Sequence, residues 1–229
     1  MVAIKVDADV FNGVNLGPGE EQLLRQQLFT YVAPRGSFLH NLFTDNFELI
    51  KAGLQVAKAE FNEQPFRGMY AWDSEIGMQL IRPGYVLRTT GGTEAVQNDW
   101  TFTFTSGNDY WIGFSTNNQT AINIDKRILV IPMAIGWTQG GNPSVEEIYV
   151  QLGGTTYPVN VIRHGWFADN GTNDPVRVAR IRPQIWKPKA RPLVQVWSIA
   201  AQTQEMMLLG LCFGLGDLLR QTTVPAPQT

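Results

Sequence analysis

The sequence predicts a mainly β protein, a single jelly roll or β-sandwich with two N-terminal helices and extended arms at both ends. After Pro65, Gly, Asn, Thr and aromatic residues dominate, and short runs of alternating apolar and polar residues are separated by turns. Before Pro65, apolar residues recur at the three- and four-residue spacing of a helix. A chain of 229 residues is long enough for one domain of this kind.

The change at Pro65 and the breaks near the ends predict four segments. Residues 1–18 form an N-terminal arm, residues 19–65 a helical segment, residues 66–221 the β domain and residues 222–229 a C-terminal arm. The C-terminal arm is uncharged and contains two prolines. Arms of this kind can tie subunits together, and simple terminal disorder is the equally weighted alternative.

Two helices are predicted in the helical segment. The first covers residues 20–32, with acidic residues at its start, and its apolar side is formed by Leu23, Leu24, Leu28 and Tyr31. The second begins near Thr44, which is a suitable N-cap, and continues to about residue 62. Its apolar face is formed by Phe47, Ile50, Leu54, Ala57 and Phe61.

About eight to ten strands are predicted after Pro65. Residues 100–105 alternate aromatic and threonine side chains, and residues 110–114 follow after a turn as the predicted hairpin partner. Six further strands are predicted at 128–135, 148–152, 158–162, 176–181, 193–200 and 207–213, and residues 69–71, 75–81 and 85–89 are possible strands. No repeat of propeller-blade length is present, so a sandwich or jelly roll is favoured.

Composition and charge narrow the function classes. Charged residues make up only 17% of the chain, and the net charge of −2 gives no global basic field to hold nucleic acid. The start of the chain lacks a signal-peptide pattern, and no apolar run reaches the length of a transmembrane helix. We therefore expect a protein made in the cytoplasm and not secreted, with no transmembrane segment. A low-charge surface is typical of proteins whose faces meet other proteins.

Catalytic and metal-binding patterns are scarce, so we expect no enzyme activity, no cofactor and no metal. Cys212 lies in the most apolar segment and is interpreted as a core residue, where a thiol is unreactive. His164 and Asp169 are the nearest approach to an acid–base pair. An Asx-rich turn at Asp169, Asn170, Asn173 and Asp174 explains that stretch as well as a calcium site would.

The strongest local charge feature is a run of six basic residues within fifteen positions that contain no acid. This basic segment, residues 177–191, contains Arg177, Arg180, Arg182, Trp186, Lys187, Lys189 and Arg191. Three interpretations remain open: contact with an acidic face of a neighbouring subunit, a solvated loop that protects a sheet edge, and nucleic-acid binding with Trp186 stacked on a base. Subunit contact is favoured.

Aromatic residues are a second feature that can carry function. Trp72, Trp137 and Trp166 lie beside turns, where an aromatic side chain is often exposed. Exposed aromatic side chains anchor carbohydrates and protein partners. A non-catalytic module that binds a glycan or a host surface is therefore the alternative to a structural subunit.

The order of segments resembles virion structural proteins, in particular the single jelly-roll capsid proteins of icosahedral bacterial and archaeal viruses. The resemblance rests on residues 128–135, on residues 145–152 with the Gly153-Gly-Thr-Thr-Tyr-Pro158 turn, and on residues 193–213, between the helices and the tail. It implies a capsid or capsid-associated subunit in the virion, whose partners are copies of itself and other virion proteins. Residues 1–19 lack the strongly basic arm of many capsid proteins, so genome binding by this arm is not favoured.

Overall fold

A computed structural model describes most of the chain as helices and strands. The described residues are 15–86, 99–112, 123–138, 145–152, 160–163 and 176–221. The helices are α1 (Pro18–Gln27), α2 (Phe38–Asp45), α3 (Phe47–Glu60), α4 (Pro83–Val86) and α5 (Gly216–Leu219). The strands are β1 (Phe66–Gly68), β2 (Ile76–Leu80), β3 (Thr101–Phe104), β4 (Gly107–Ile112), β5 (Ile128–Thr138), β6 (Val145–Leu152), β7 (Asn160–Arg163), β8 (Val176–Arg180), β9 (Pro192–Ser198) and β10 (Gln202–Leu215).

The first predicted helix is present, but it does not remain an α-helix. Pro18 occupies the first turn, where its missing N–H costs nothing, and a π-helical turn at Leu28–Val32 follows Gln27. The wider turn changes the spacing between successive buried residues from four to five. The buried residues are therefore Leu24, Leu28 and Ala33. Tyr31, predicted on the apolar face, is instead 54% exposed because the π turn rotates it outward.

The second predicted helix is α3, and a separate helix that was not predicted, α2, precedes it. Ser37 caps α2 by accepting a hydrogen bond from the backbone N–H of His40 at 3.1 Å. Thr44 therefore lies inside the last turn of α2, and the predicted N-cap role is wrong because α3 begins at Phe47 after Asn46. The predicted apolar face is confirmed: all five of its residues are buried.

The strands form two sheets, which confirms the mainly β class. In sheet A the order is β1-β2-β10-β5-β8, with β3 also paired to β10, and in sheet B it is β4-β9-β6-β7. All pairs are antiparallel except β1 with β2. Helices α1, α2 and α3 pack on one face of sheet A, and sheet B packs on the other.

Four of the pairs are nested along the chain. Strand β6 pairs with β7, β5 with β8, β4 with β9 and β3 with β10. Strands β3 to β10 therefore form one long antiparallel ribbon that folds over on itself. The fold brings β5 beside β10 in sheet A and β6 beside β9 in sheet B.

The predicted hairpin between residues 100–105 and 110–114 is wrong. Strand β3 pairs with β10 in sheet A, whereas β4 pairs with β9 in sheet B. The carboxylate of Asp109 accepts hydrogen bonds from the backbone N–H of Thr105 at 2.9 Å and from its hydroxyl at 3.1 Å. These bonds hold a bend that carries the chain from one sheet to the other.

Two further predicted strands differ from the structure. Residues 69–71 lie in the loop after β1, which ends at Gly68. Tyr85 and Val86 belong to the short helix α4, which starts at Pro83, where a ring-fixed φ favours a helical turn. Residues 87–89 lie outside the described part of the chain.

Candidate functional site

The basic segment connects the two sheets. It leaves sheet A at the end of β8, crosses the sandwich between residues 181 and 191, and enters sheet B at Pro192 in β9. The backbone N–H of Lys189 donates to the carbonyl of Ile124 at 3.0 Å, and that of Ile124 donates to Ala190 at 2.9 Å. The segment is therefore an ordered crossover.

Trp186 is not available for stacking on a ligand. Its side chain is fully buried, and its indole N–H donates to the side-chain oxygen of Gln184 at 3.0 Å. Its backbone exchanges two hydrogen bonds with Val130 in β5, at 2.8 and 2.9 Å. The apolar ring belongs in the core between the sheets, so the predicted contact with a subunit or a base is wrong for this residue.

Two cations of the basic segment are paired with acids of the chain's own helices. The Arg180 guanidinium lies 2.6 Å from the Asp45 carboxylate at the end of α2. The Lys187 ammonium lies 3.9 Å from Glu60 at the end of α3. Both pairs are about half exposed, so they orient the helices on sheet A with little gain in stability.

The remaining basic residues of the segment are Arg177, Arg182, Lys189 and Arg191. Arg182, Lys189 and Arg191 are exposed. Arg177 lies in β8, and its side chain is outside the described part of the chain. Contact of this segment with a neighbouring subunit stays a prediction.

The most exposed aromatic side chains in the described residues lie in the loop between β1 and β2. We call residues 69–75 the aromatic loop. Tyr70 and Trp72 are each 67% exposed, and Met69 is 45% exposed. The predicted exposure of Trp72 is confirmed, whereas the side chain of Trp137 and the whole of Trp166 lie outside the described residues.

Hydrogen bonds fix the backbone of the aromatic loop. The backbone N–H of Trp72 donates to the Glu75 carboxylate at 3.0 Å, and the N–H of Glu75 donates to the carbonyl of Trp72 at 2.7 Å. The bond from Trp72 lowers the pKa of Glu75, and Arg67 adds to this effect through a contact of 3.1 Å. The loop is thus preorganised, which reduces the entropy that binding would cost.

A second element supports Trp72 from the side. The Arg220 guanidinium lies 4.5 Å from the centre of the Trp72 ring, and it also pairs with the Asp73 carboxylate. The backbone N–H of Asp217 in α5 donates to the carbonyl of Asp73 at 2.9 Å. Trp, Tyr and Arg are the side chains most enriched at the energetic centres of protein interfaces. The aromatic loop is therefore the best-formed candidate binding surface in the described structure.

Of the candidate catalytic residues, only Cys212 lies in the described part of the chain. Cys212 lies in the core between the sheets, as predicted, and burial raises the pKa of its thiol. His164 and the Asx-rich turn at 169–174 lie outside the described residues. Within the described ranges, no three His, Cys, Asp or Glu side chains are grouped so that they could hold a metal ion.

Sequence reasoning missed Tyr70 and the rigid loop around it. The signal was present in Met69-Tyr-Ala-Trp72, where large apolar residues lead directly into Asp73-Ser74. The sequence predicts a possible strand over residues 69–71, although three large apolar residues before a turn also fit an exposed loop.

Comparison with protein-family models, with curated proteins and with solved structures finds no match to this chain. The helices of the described residues include none that is both long and apolar enough to cross a membrane.

Proposed function

We propose that the chain is a virion structural subunit, a capsid or capsid-associated protein that self-assembles, built on a single jelly roll. The observation that carries the proposal is the nested strand order. A jelly roll is an antiparallel ribbon of eight strands rolled into two sheets, and capsid proteins are one of the classes that use it.

The described pairing supports the jelly roll strand by strand. Strands β3 to β10 give the orders β3-β10-β5-β8 and β4-β9-β6-β7. Each order alternates a strand from the first half of the ribbon with one from the second half. Strands β1 and β2 extend sheet A beyond this set of eight. Since jelly rolls also occur in lectins and cupins, the step from fold to function is an analogy.

Exposed apolar side chains support the assembly part of the proposal. Besides the aromatic loop, Trp197 at the end of β9 is 41% exposed, and Ile199 beside it is 55% exposed. Both lie at the C-terminal end of β9 in sheet B, whose outer face has no helical layer over it in the described structure. Exposed apolar groups of this size are suited to contact with another protein.

The test of self-assembly is the absolute mass in solution, measured by light scattering across protein concentration and salt. We expect a large discrete species or growth toward one. The double variant Tyr70→Ser/Trp72→Ala should shift the assembly midpoint to at least tenfold higher concentration. The matched control is Tyr31→Ser, which removes an exposed aromatic side chain from the helical layer. A wild-type chain that stays monomeric alone and with other virion proteins would contradict the proposal.

The contribution of the basic segment needs its own variants. Reversing Arg180 or Lys187 would place like charges beside Asp45 and Glu60 within the same chain. We therefore choose Lys189→Gln, because this side chain is exposed. If the segment contacts a neighbouring subunit, the change weakens assembly and reduces its salt dependence. Unchanged assembly would assign the segment to a solvated crossover.

The second candidate function is a glycan-binding or host-surface module. The aromatic loop favours it, because a fixed Trp72 beside Asp73 and Arg220 combines a flat apolar face with polar groups that can bind sugar hydroxyls. A glycan array probed with the full chain and with Trp72→Ala separates the two candidates. Binding that is lost in the variant while the protein stays monomeric favours this second function.

A further inference from the structure

The helical segment contains a depression that neither proposed function uses. It is an open depression of about 570 Å³ at the junction of α1, the π turn and α2. Its lining residues are Arg25, Phe29, Thr30, Arg35, His40 and Thr44. Two of these carry a permanent positive charge, and none carries a negative charge.

The π turn explains why these side chains meet. A regular α-helix continuing from Leu28 would bury residue 31 or 32 next, but the five-residue step buries Ala33. Phe29 and Thr30 are thereby placed beside His40 of the next helix.

No acidic side chain in the described part of the chain neutralises the charge of Arg25 or Arg35. Among the described residues, neither guanidinium forms an ion pair. The carboxylates nearest in the chain are used elsewhere: Glu48 contacts Lys51 at 2.9 Å, Glu21 contacts Lys51 at 3.8 Å, and Asp45 contacts Arg180 at 2.6 Å.

Two of the lining side chains are held in position. The Arg25 guanidinium lies 4.0 Å from the centre of the Phe47 ring, which supports its flat face and leaves its N–H edge for hydrogen bonding. The Nδ1 atom of His40 donates to the carbonyl of Ala33 at 3.0 Å. The edge of the His40 ring also meets Phe29, with 5.1 Å between ring centres.

We propose that this depression binds a phosphate group. A guanidinium presents a rigid fork of donors that matches phosphate oxygens, and two such groups around one depression suit a multiply charged anion. The volume exceeds that of a single phosphate, so the site has room for part of the molecule that carries it. This inference does not depend on the proposed function.

The probe is inorganic phosphate, titrated into the full chain at constant ionic strength with chloride as the balancing ion. The readout is the set of backbone amide shifts of residues 25–44. We expect saturable binding in a roughly millimolar range. Arg25→Gln and Arg35→Gln should each weaken it about tenfold, which corresponds to the loss of one charged hydrogen-bonded contact.

Two further variants separate a site from general charge. Arg25→Lys keeps the charge but loses the planar fork, so we expect an intermediate affinity. Lys126→Gln removes an exposed positive charge in the turn before β5 and should leave the affinity unchanged. Unchanged thermal unfolding in chloride confirms that each variant is folded. Shifts that grow linearly without saturation, or an Arg35→Gln variant that binds like the wild type, would overturn the proposal.

A second titration identifies the source of the phosphate. A short single-stranded oligonucleotide is added to the wild type and to the Arg25→Gln/Arg35→Gln double variant. Shifts at the same amides that are lost in the double variant assign the phosphate to a nucleic-acid backbone. Binding of inorganic phosphate without any response to the oligonucleotide assigns the site to a free or small-molecule phosphate.

Discussion

Strands β5 and β9 are both central in their sheets, yet their sequences follow different rules. In β5 the run from Ile128 to Gly136 is buried at every position, because the helices cover one face of sheet A and sheet B covers the other. In β9 buried residues alternate with more exposed ones up to Trp197, because only one face of sheet B is covered by the described residues. The difference shows that hydrophobic pattern reports the number of covered faces, not the position of a strand in its sheet.

The largest expected effect is on stability, and it compares two adjacent residues of β5 that face opposite sides of sheet A. Ile131→Ala removes a side chain that packs on the helices, and Val130→Ala removes one that packs on sheet B. We expect Ile131→Ala to lower the free energy of unfolding by about 4 kcal/mol and Val130→Ala by about 2 kcal/mol. Chemical denaturation measures both.

Sheet B supplies the contrast. Val194→Ala in β9 should cost about 2 kcal/mol, because Val194 is fully buried. Asn108→Thr on the exposed side of β4 should change stability by less than about 0.5 kcal/mol. If Ile131→Ala were as mild as Asn108→Thr, the helices would not be packed on sheet A.

The next effect tests how closely the backbones of sheet A approach. Gly210 lies at an irregularity in the pairing of β10 with β5, and a Cβ atom there would be 2.1 Å from the backbone carbonyl oxygen of Ile131. The carbonyl belongs to the centre of the sheet and cannot move aside. We expect Gly210→Ala to cost about 3 kcal/mol. At Gly36 nothing lies within 4 Å of an added Cβ atom, so Gly36→Ala should cost less stability. Its cost comes only from the positive φ of 86°.

A smaller, pH-dependent effect concerns the edge of sheet A. Burial alone would raise the pKa of Glu20, but hydrogen bonds from Lys58 at 2.7 Å and from the backbone of Gly17 and Phe66 outweigh it and lower the pKa below 4.5. The stability that Glu20 contributes is therefore present above pH 4.5 and is lost as the pH falls through the lowered pKa.

Glu20→Gln should cost about 1.5 kcal/mol at pH 7 and less as the pH falls below this range. The measurement is urea unfolding from pH 7 to pH 3. Glu21→Gln is the matched control, because Glu21 lies 3.8 Å from Lys51 and is more exposed. Equal pH profiles for both variants would show that Glu20 does not tie α1 to β1.

The smallest effect concerns the ion pairs of the basic segment. Arg180→Gln and Lys187→Gln should each change stability by about 0.5 kcal/mol or less, because both pairs are about half exposed. Thermal unfolding in low and high salt measures this. A loss above 2 kcal/mol would mean that these pairs, and not apolar packing, hold the helices on sheet A.

The candidate surfaces were only partly predictable. The run of cations in the basic segment is visible in the sequence, but the structure alone pairs two of them with α2 and α3 and buries Trp186. The position of Trp72 beside a turn correctly predicts its exposure, whereas the exposure of Tyr70 is not predicted because it falls in a predicted strand. The phosphate-site residues carry no sequence motif, because they meet only through one π-helical turn.

The sequence by itself determined the local elements: the helical spacing before Pro65, most of the strands after it and the core position of Cys212. Each of these depends on neighbours along the chain, and hydrophobic periodicity records such relations. Only the tertiary structure decided that β3 and β4 lie in different sheets, that Trp186 is buried and that the pairs are nested from β6 with β7 to β3 with β10. Those facts depend on contacts between residues up to about a hundred positions apart, such as Thr103 with Thr203, and no local pattern encodes which distant strand completes a sheet.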